Sequence, residues 1–447
     1  MKKVYLIACS AGTRDSLSQG TLQIIDSAGL VLGAERLITN IHPKRFGTKA
    51  LTDSTAILAE IRETRAETIA VLFSGDTGFF SGARRLAALL ADSEIAYEIL
   101  PGVSSLAMAA AAFGLSYENV KAVSLHGRVQ DAWSLKRAVI SGLMSGQPCF
   151  FLTDSFANPA AISRCIAEAG CPDLIIHIGE NLGSQEQELF TGTTAEAAEG
   201  EFSPLSVVFT EGAPVTRPLS AGLPDEAFLR GTDKKAGRQG EGSPDCGKEL
   251  WKMPETAENA ESQGCESSHG AHVPMTKRYV RAAALSALAL QPGDVVYDIG
   301  GGTGSVSVEA ALLNRSGYVF SIEDKEAAID LMGQNRERFH AYNMEIVPGT
   351  APAALAGLPP ADAAFVGGSR GNIAEIIDAL LLKNEGMRIV IAAVTAETNA
   401  AAVQALTERS IPYEAVSLSA AASQQMGAYH LMKAENPVTL YIAEKTH

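Results

Sequence analysis

Apolar residues in this chain follow two rhythms: short unbroken runs bounded by glycine, proline or small polar residues, and longer stretches where they recur every three or four positions. The first predicts buried strands, and the second predicts helices that cover them. In the first half, strands are expected at residues 4–9, 69–74, 97–100, 122–125, 149–153, 174–178 and 205–210, with helices between most of them. In the second half they fall at 295–299, 318–322, 344–347, 363–366 and 388–393, alternating with helices near 277–290, 305–314, 325–339 and 372–382. That alternation is the pattern of a doubly wound α/β sheet. The tail differs, because runs at 413–418 and 438–443 flank a turn-rich stretch with no room for a crossover helix, so an antiparallel ending is expected.

Residues 231–273 change character: Gly, Ser, Glu, Lys, Asn and Pro dominate, and Trp251 is the single aromatic. Such a segment offers too little apolar surface to offset its ordering entropy. The expected division is a first domain at 1–230, a flexible linker or insertion at 231–273 and a second domain at 274–447. No internal repeat relates the halves, which predicts two different folds.

With 447 residues and 46% hydrophobic side chains the chain can build two cores. Subtracting 51 acidic from 36 basic residues gives −15, which opposes phosphate backbones and anionic membrane surfaces. No nucleic-acid partner is expected. No membrane partner is expected either, since no apolar run approaches the roughly 20 residues a span needs, and the opening run reads as a buried strand rather than a signal peptide. Six cysteines (Cys9, Cys149, Cys165, Cys171, Cys246, Cys265) form no C-x-x-C pair. A cytoplasmic protein with reduced thiols and no metal site is the expectation.

The strongest chemical signal is Asp298-Ile299-Gly300-Gly301-Gly302-Thr303-Gly304, between a predicted strand and a predicted helix. Glycines let the backbone turn sharply and approach a ligand, while free N–H groups at the helix start offer donors. Glu323 ends the next strand, 323 − 302 = 21 residues on, where a carboxylate can accept ribose hydroxyls. The dinucleotide spacing G-x-G-x-x-G fails, since its last position falls on Ser305 or Ser307. The run Asp-x-Gly-x-Gly-x-Gly instead resembles the first motif of class I methyltransferases, as does the antiparallel tail. That resemblance implies S-adenosylmethionine held by residues 298–304 and Glu323, with Gly349, Thr350 and Ala351 beside the adenine. It also implies a flat substrate entering over Gly368, Ser369 and Arg370. A nicotinamide-dependent dehydrogenase is the competing reading.

In the first half, Ser74-Gly75-Asp76-Thr77-Gly78 follows a predicted strand. Pro101-Gly102-Val103-Ser104-Ser105 opens an Ala-rich helix, and His126-Gly127-Arg128 and Glu211-Gly212-Ala213-Pro214 follow two later strands. Together these resemble the tetrapyrrole methylase family, a class III methyltransferase fold of two α/β subdomains. The resemblance implies a second S-adenosylmethionine, one per domain, at Gly75, Asp76, Thr77, Ser104, Ser105, His126, Gly212, Ala213 and Pro214. One departure stands out: the family's first glycine loop is replaced by Cys9-Ser10-Ala11-Gly12. The domain is therefore either a catalyst or a module that binds corrinoid.

A tetrapyrrole methylase followed by a class I unit resembles the two-domain, decarboxylating precorrin methyltransferases of cobalamin biosynthesis. In that family the first unit methylates C5 of a reduced tetrapyrrole and the second methylates C15 while an acetate side chain loses carbon dioxide. Pro224–Phe228 and Met275–Ala282 match how the family's halves end and begin. The implied substrate carries many carboxylates, for which Lys277, Arg278, Arg281, Arg370 and His430 are the candidate cations. Homo-oligomers are common in both resembled families, and methylation of another anionic acceptor is the remaining enzymatic alternative.

Overall fold

The computed structural model describes residues 2–41, 47–216, 220–230 and 273–444. Trp251, Cys246 and Cys265 lie outside the described residues. The chain divides into two compact units, Met1–Val215 and Thr216–His447.

The first unit holds two five-stranded sheets. One contains β1 (Lys3–Ala8), β2 (Leu30–Gly33), β3 (Thr48–Ala50), β4 (Thr68–Phe73) and β5 (Ala96–Leu100) in the order β3-β2-β4-β1-β5. All its pairings are parallel. The other contains β6 (Lys121–Ser124), β7 (Cys149–Leu152), β8 (Ile175–Glu180), β9 (Glu188–Thr193) and β10 (Ser206–Thr210) in the order β6-β7-β10-β8-β9. Only β6 and β7 run parallel there. This is the pair of α/β subdomains expected of a class III methyltransferase fold.

All seven strands predicted in this half are present, and β2, β3 and β9 were missed for physical reasons. β2 is four buried apolar residues, too few to show a period. β3 is three exposed residues, and β9 is a polar edge strand with no buried residue. Neither carries the burial that writes a pattern into sequence.

The second unit is a seven-stranded sheet of β11 (Val295–Ile299), β12 (Tyr318–Glu323), β13 (Met344–Pro348), β14 (Ala363–Val366), β15 (Arg388–Ala393), β16 (Tyr413–Leu418) and, beyond the hairpin β17 (Ala421–Met426) and β18 (Tyr429–Ala434), β19 (Val438–Ala443). Its order is β13-β12-β11-β14-β15-β19-β16. The first five strands are parallel, while β19 runs antiparallel to both β15 and β16, the expected antiparallel ending. The exposed hairpin β17–β18 and the helix Ala396–Glu408 were not predicted.

The expected boundary at residue 230 needs correction. Residues 220–230 pack on the second unit, not the first: Gly222 and Leu223 donate their N–H groups to Glu309, and Phe228 stacks on Phe339 with ring centroids 4.8 Å apart. Val273, placed by sequence in the linker, is buried in a cluster with Ala328 and Leu331. Proline and acidic residues at 224–226 read as a domain end, and the buried partners that claim them are distant in sequence.

Candidate active site

In the second unit the strand order reverses at β11, whose neighbours are β12 and β14. Ligands of such sheets bind outside the carboxyl ends of strands at this switch point. A crevice of about 250 Å³ lies there. Its walls include Gly300, Gly302, Glu323, Gly349, Thr350, Ala351, Gly368, Ser369 and Arg370, nine of the residues singled out from sequence. Pro274, Ile299, Ile322, Asp324, Lys325, Ala328, Gly367 and Asn372 complete it.

The turn needs its glycines. Gly300, Gly302 and Gly304 have φ of +79°, +55° and +75°, which L side chains rarely adopt. A Cβ at Gly300 would stand 2.7 Å from the Gly368 amide, and one at Gly302 would stand 2.5 Å from Pro274 O. Glu323, 9% exposed, is held by three backbone donors. Gly302 N–H donates to Oε2 at 3.0 Å, and the amides of Asp324 and Lys325 donate to Oε1 at 3.0 and 3.1 Å. A carboxylate oriented this way keeps acceptor capacity toward the crevice.

Asp298, Gly301, Thr303 and Gly304 lie behind the turn instead of lining the crevice. Asp298 is buried, accepts from the Ser307 hydroxyl through Oδ2, and has no partner at Oδ1. Burial pushes its carboxyl up to about 6, against the pull of Ser307. Arg370, with φ +50°, pairs with Asp324 at 2.6 Å on the crevice rim.

Arg281 corrects the sequence reading outright. It is wholly buried: Nε donates to Glu309 at 2.5 Å, Nη1 to Asp225 and Thr276 O, and Nη2 to Leu223 O. With every donor group engaged inside the fold it cannot meet a substrate. Lys277 stands exposed at the first position before the helix Arg278–Leu288, with no side-chain capping bond, and does not line the crevice, nor does the neighbouring Arg278. His430 sits on the exposed strand β18, also away from the crevice walls.

In the first unit Asp76 ties two loops together, accepting from Gly78 N–H at 2.8 Å and from Gly102 N–H at 3.0 Å. Ser10 pairs with Gly75 through two backbone bonds, and its hydroxyl accepts from Val103 N–H at 2.9 Å. Gly102 is packed so closely that a Cβ would lie 2.7 Å from Ala8 Cβ. Gly75, Asp76 and Thr77 are thereby joined to the 101–105 loop at the carboxyl edge of the parallel sheet. Ser104 caps the helix Ser105–Phe113 through Ala107 N–H. The His126 turn meets the same region, since the Arg128 guanidinium lies 5.5 Å from the centroid of the Phe80 ring. His126 Nδ1 itself is 3.2 Å from Thr153 O.

Gly212, Ala213 and Pro214 do not join them. β10 runs antiparallel to β7, so its exit lies beside the start of β7, where a Cβ on Gly212 would stand 2.8 Å from Gly146 O. The His126 turn instead faces the start of β10, where the Thr153 hydroxyl donates to Ser206 O at 2.5 Å. Sequence order alone does not reveal strand direction, and this motif falls at the opposite end of its sheet from the His126 turn.

A glycine turn at the switch point, a carboxylate closing the adjacent strand and an antiparallel last strand in the sheet are together the arrangement of a methyltransferase unit of class I. Comparison with known proteins then gives the family. Residues 3–198 match the model of tetrapyrrole (corrin/porphyrin) methylases, and residues 268–445 match that of a precorrin methyltransferase domain. The precorrin-6Y C(5,15)-methyltransferase [decarboxylating] of Sinorhizobium sp is 30% identical over 77% of this chain and 72% of its own length. A probable cobalt-precorrin-6B C(15)-methyltransferase (decarboxylating) of Pyrobaculum calidifontis is 44% identical over 38% of this chain and 89% of its own. The solved precorrin-6Y C5,15-methyltransferase structure from Geobacter metallireducens is 36% identical, covers 38% of this chain and 91% of that one, and has a TM-score of 0.37. The chain belongs to the family of decarboxylating precorrin-6Y C(5,15)-methyltransferases. It is a methyltransferase, and enzymes of this family use S-adenosylmethionine as methyl donor.

Proposed function

We propose that the chain methylates precorrin-6Y at C5 and C15 with loss of an acetate carboxyl as carbon dioxide, giving precorrin-8X in corrin-ring biosynthesis. One donor site per unit is part of the proposal, with the first unit acting at C5 and the second at C15. The bond from Gly302 N–H to Glu323 carries this reading, because it fixes a nearly buried carboxylate at the lip of an open crevice whose walls include five glycines. Bound S-adenosylmethionine supplies an electrophilic methyl group to an electron-rich ring carbon.

The protein's own part is positioning. Glu323 offers oxygens to the donor's sugar, and Ile299, Ile322 and Ala328 offer apolar walls to its base. Gly367 and Gly368 leave room for a flat ring. Arg370 and Lys325 on the same walls offer charge to the substrate's carboxylates. Alignment of reacting atoms and exclusion of water contribute about 7–11 kcal/mol in such reactions, so little acid–base machinery is required. A cytoplasmic setting fits Cys9 and Cys149, whose thiols burial raises to about 12 and about 11 and so keeps protonated and unreactive.

A second reading makes the first unit a corrinoid-binding module, because Ser10 and Ala11 stand where glycines are expected and the Ser10 hydroxyl already occupies Val103 N–H. Mass spectrometry of products from precorrin-6Y, and from its cobalt-bearing form, decides between them. Two methyls gained with one carboxyl lost is the expected product. One methyl with decarboxylation assigns catalysis to the second unit alone, and no decarboxylated product refutes both.

A further inference from the structure

Two backbone segments converge on one buried side chain behind the donor turn. Asn335, wholly buried on the helix Glu326–Arg338, accepts from Leu229 N–H at 2.7 Å. Its Nδ2 donates to Leu229 O at 3.2 Å and to Thr303 O at 2.9 Å. Thr303 belongs to the glycine turn, so a single amide bridges that turn to residues 222–229. The same stretch is anchored upstream by Glu309, which takes the N–H groups of Gly222 and Leu223 at 2.6 and 2.9 Å, and by the Arg281 guanidinium, whose centre lies 4.8 Å from the centroid of the Phe228 ring.

The other side of the turn is held from residue 274. Pro274 O accepts from Thr303 N–H at 3.4 Å and blocks any side chain at Gly302. Leu229 and Val273, just before and just after residues 231–272, pack on one cluster with Ala328 and Leu331, and Ala328 also lines the crevice. The chain thus leaves the second unit and returns to it at the same place.

We propose that residues 222–229 are a strap belonging to the second unit and that Asn335 is a positioning residue that sets the donor turn through it. In consequence residues 231–272 are inserted within that unit instead of joining two domains. The inference rests on the proposed donor site. The Asn335 amide, held by Leu229, fixes the Thr303 carbonyl and with it the peptide that carries Gly304 N–H, which closes the turn on Gly301 O at 2.8 Å before any ligand arrives. That preorganisation lowers the cost of binding.

The test uses the full chain and follows carbon dioxide release, which reports the second unit alone, at varied S-adenosylmethionine. Asn335→Leu, with the same branching but without polar atoms, is expected to raise the donor KM about three- to tenfold, the loss of one or two hydrogen bonds. The tetrapyrrole KM and methylation at C5 should stay at wild-type values. Asn335→Asp keeps the acceptor for Leu229 N–H but replaces the amide donor facing Thr303 O. It should shift the donor KM in the same direction and serves if the leucine variant does not fold. A donor KM unchanged in a folded variant, with only the melting temperature lowered, overturns the proposal. Glu323→Ala, run alongside, separates the two failures. If it raises the donor KM and the Asn335 variants do not, the strap proposal falls; if neither responds, the donor-site reading itself falls.

Discussion

Arg281 donates Nε–H to Glu309 Oε1 at 2.5 Å, and neither side chain reaches solvent. The pair closes a network in which Glu309 also receives two amides from residues 222–223, and Arg281 also bonds Asp225, Thr276 O and Leu223 O. A buried ion pair is costly to assemble, but removing one partner leaves the other charge uncompensated.

Arg281→Ala should therefore destabilise the second unit by about 3–5 kcal/mol. Arg281→Lys should recover little of this, since an ammonium lacks the guanidinium's planar fork. Urea unfolding of the variants measures the loss. A stable Arg281→Ala protein with a raised tetrapyrrole KM would instead restore the residue to the substrate site.

This arginine also shows where sequence stops. Its helical position beside Lys277 and Arg278 looked like a basic cluster, and nothing local distinguishes a solvated cation from one whose partners lie 28 or more residues away at Glu309 and Asp225. The glycine turn was legible because positive φ and close backbone approach impose residue types directly. Glu323 was legible because it ends a strand at a fixed distance from that turn. Gly212–Pro214 misled because proximity in sequence to a strand end does not say which end of the sheet that strand reaches. Asn335 carried no signal at all, since a buried asparagine serving distant backbone looks like any polar helix residue.

Asp298 should make stability fall with rising pH. Burial raises its folded-state value from 3.8 to about 6, so the folded chain keeps a proton that the unfolded chain has already released. Its contribution is most favourable below about pH 4 and is lost as pH rises through about 6, a change of about 3 kcal/mol by pH 7. Unfolding of wild type and Asp298→Asn compared from pH 4 to 7 should show the wild type losing ground. A gain with rising pH would mean that the carboxylate is stabilised where it sits.

Asp76→Ala should separate the two reactions. Without the acceptor for Gly78 and Gly102 amides, the loops after β4 and β5 lose their tie, and methylation at C5 should drop by about tenfold or more, as expected for misplaced reacting groups. Decarboxylating methylation at C15 should persist. Mass spectrometry of the product ratio checks this, and equal loss of both activities would contradict independent donor sites.

The chain is proposed to hold two methyl-donor sites, one of them on the turn around Gly302. Calorimetric titration of the full chain with S-adenosylhomocysteine tests it most directly, using Gly302→Ala, whose Cβ would meet Pro274 O at 2.5 Å. Wild type should bind two equivalents and the variant one. A single equivalent in wild type, or two undiminished in the variant, would contradict a donor site in each unit.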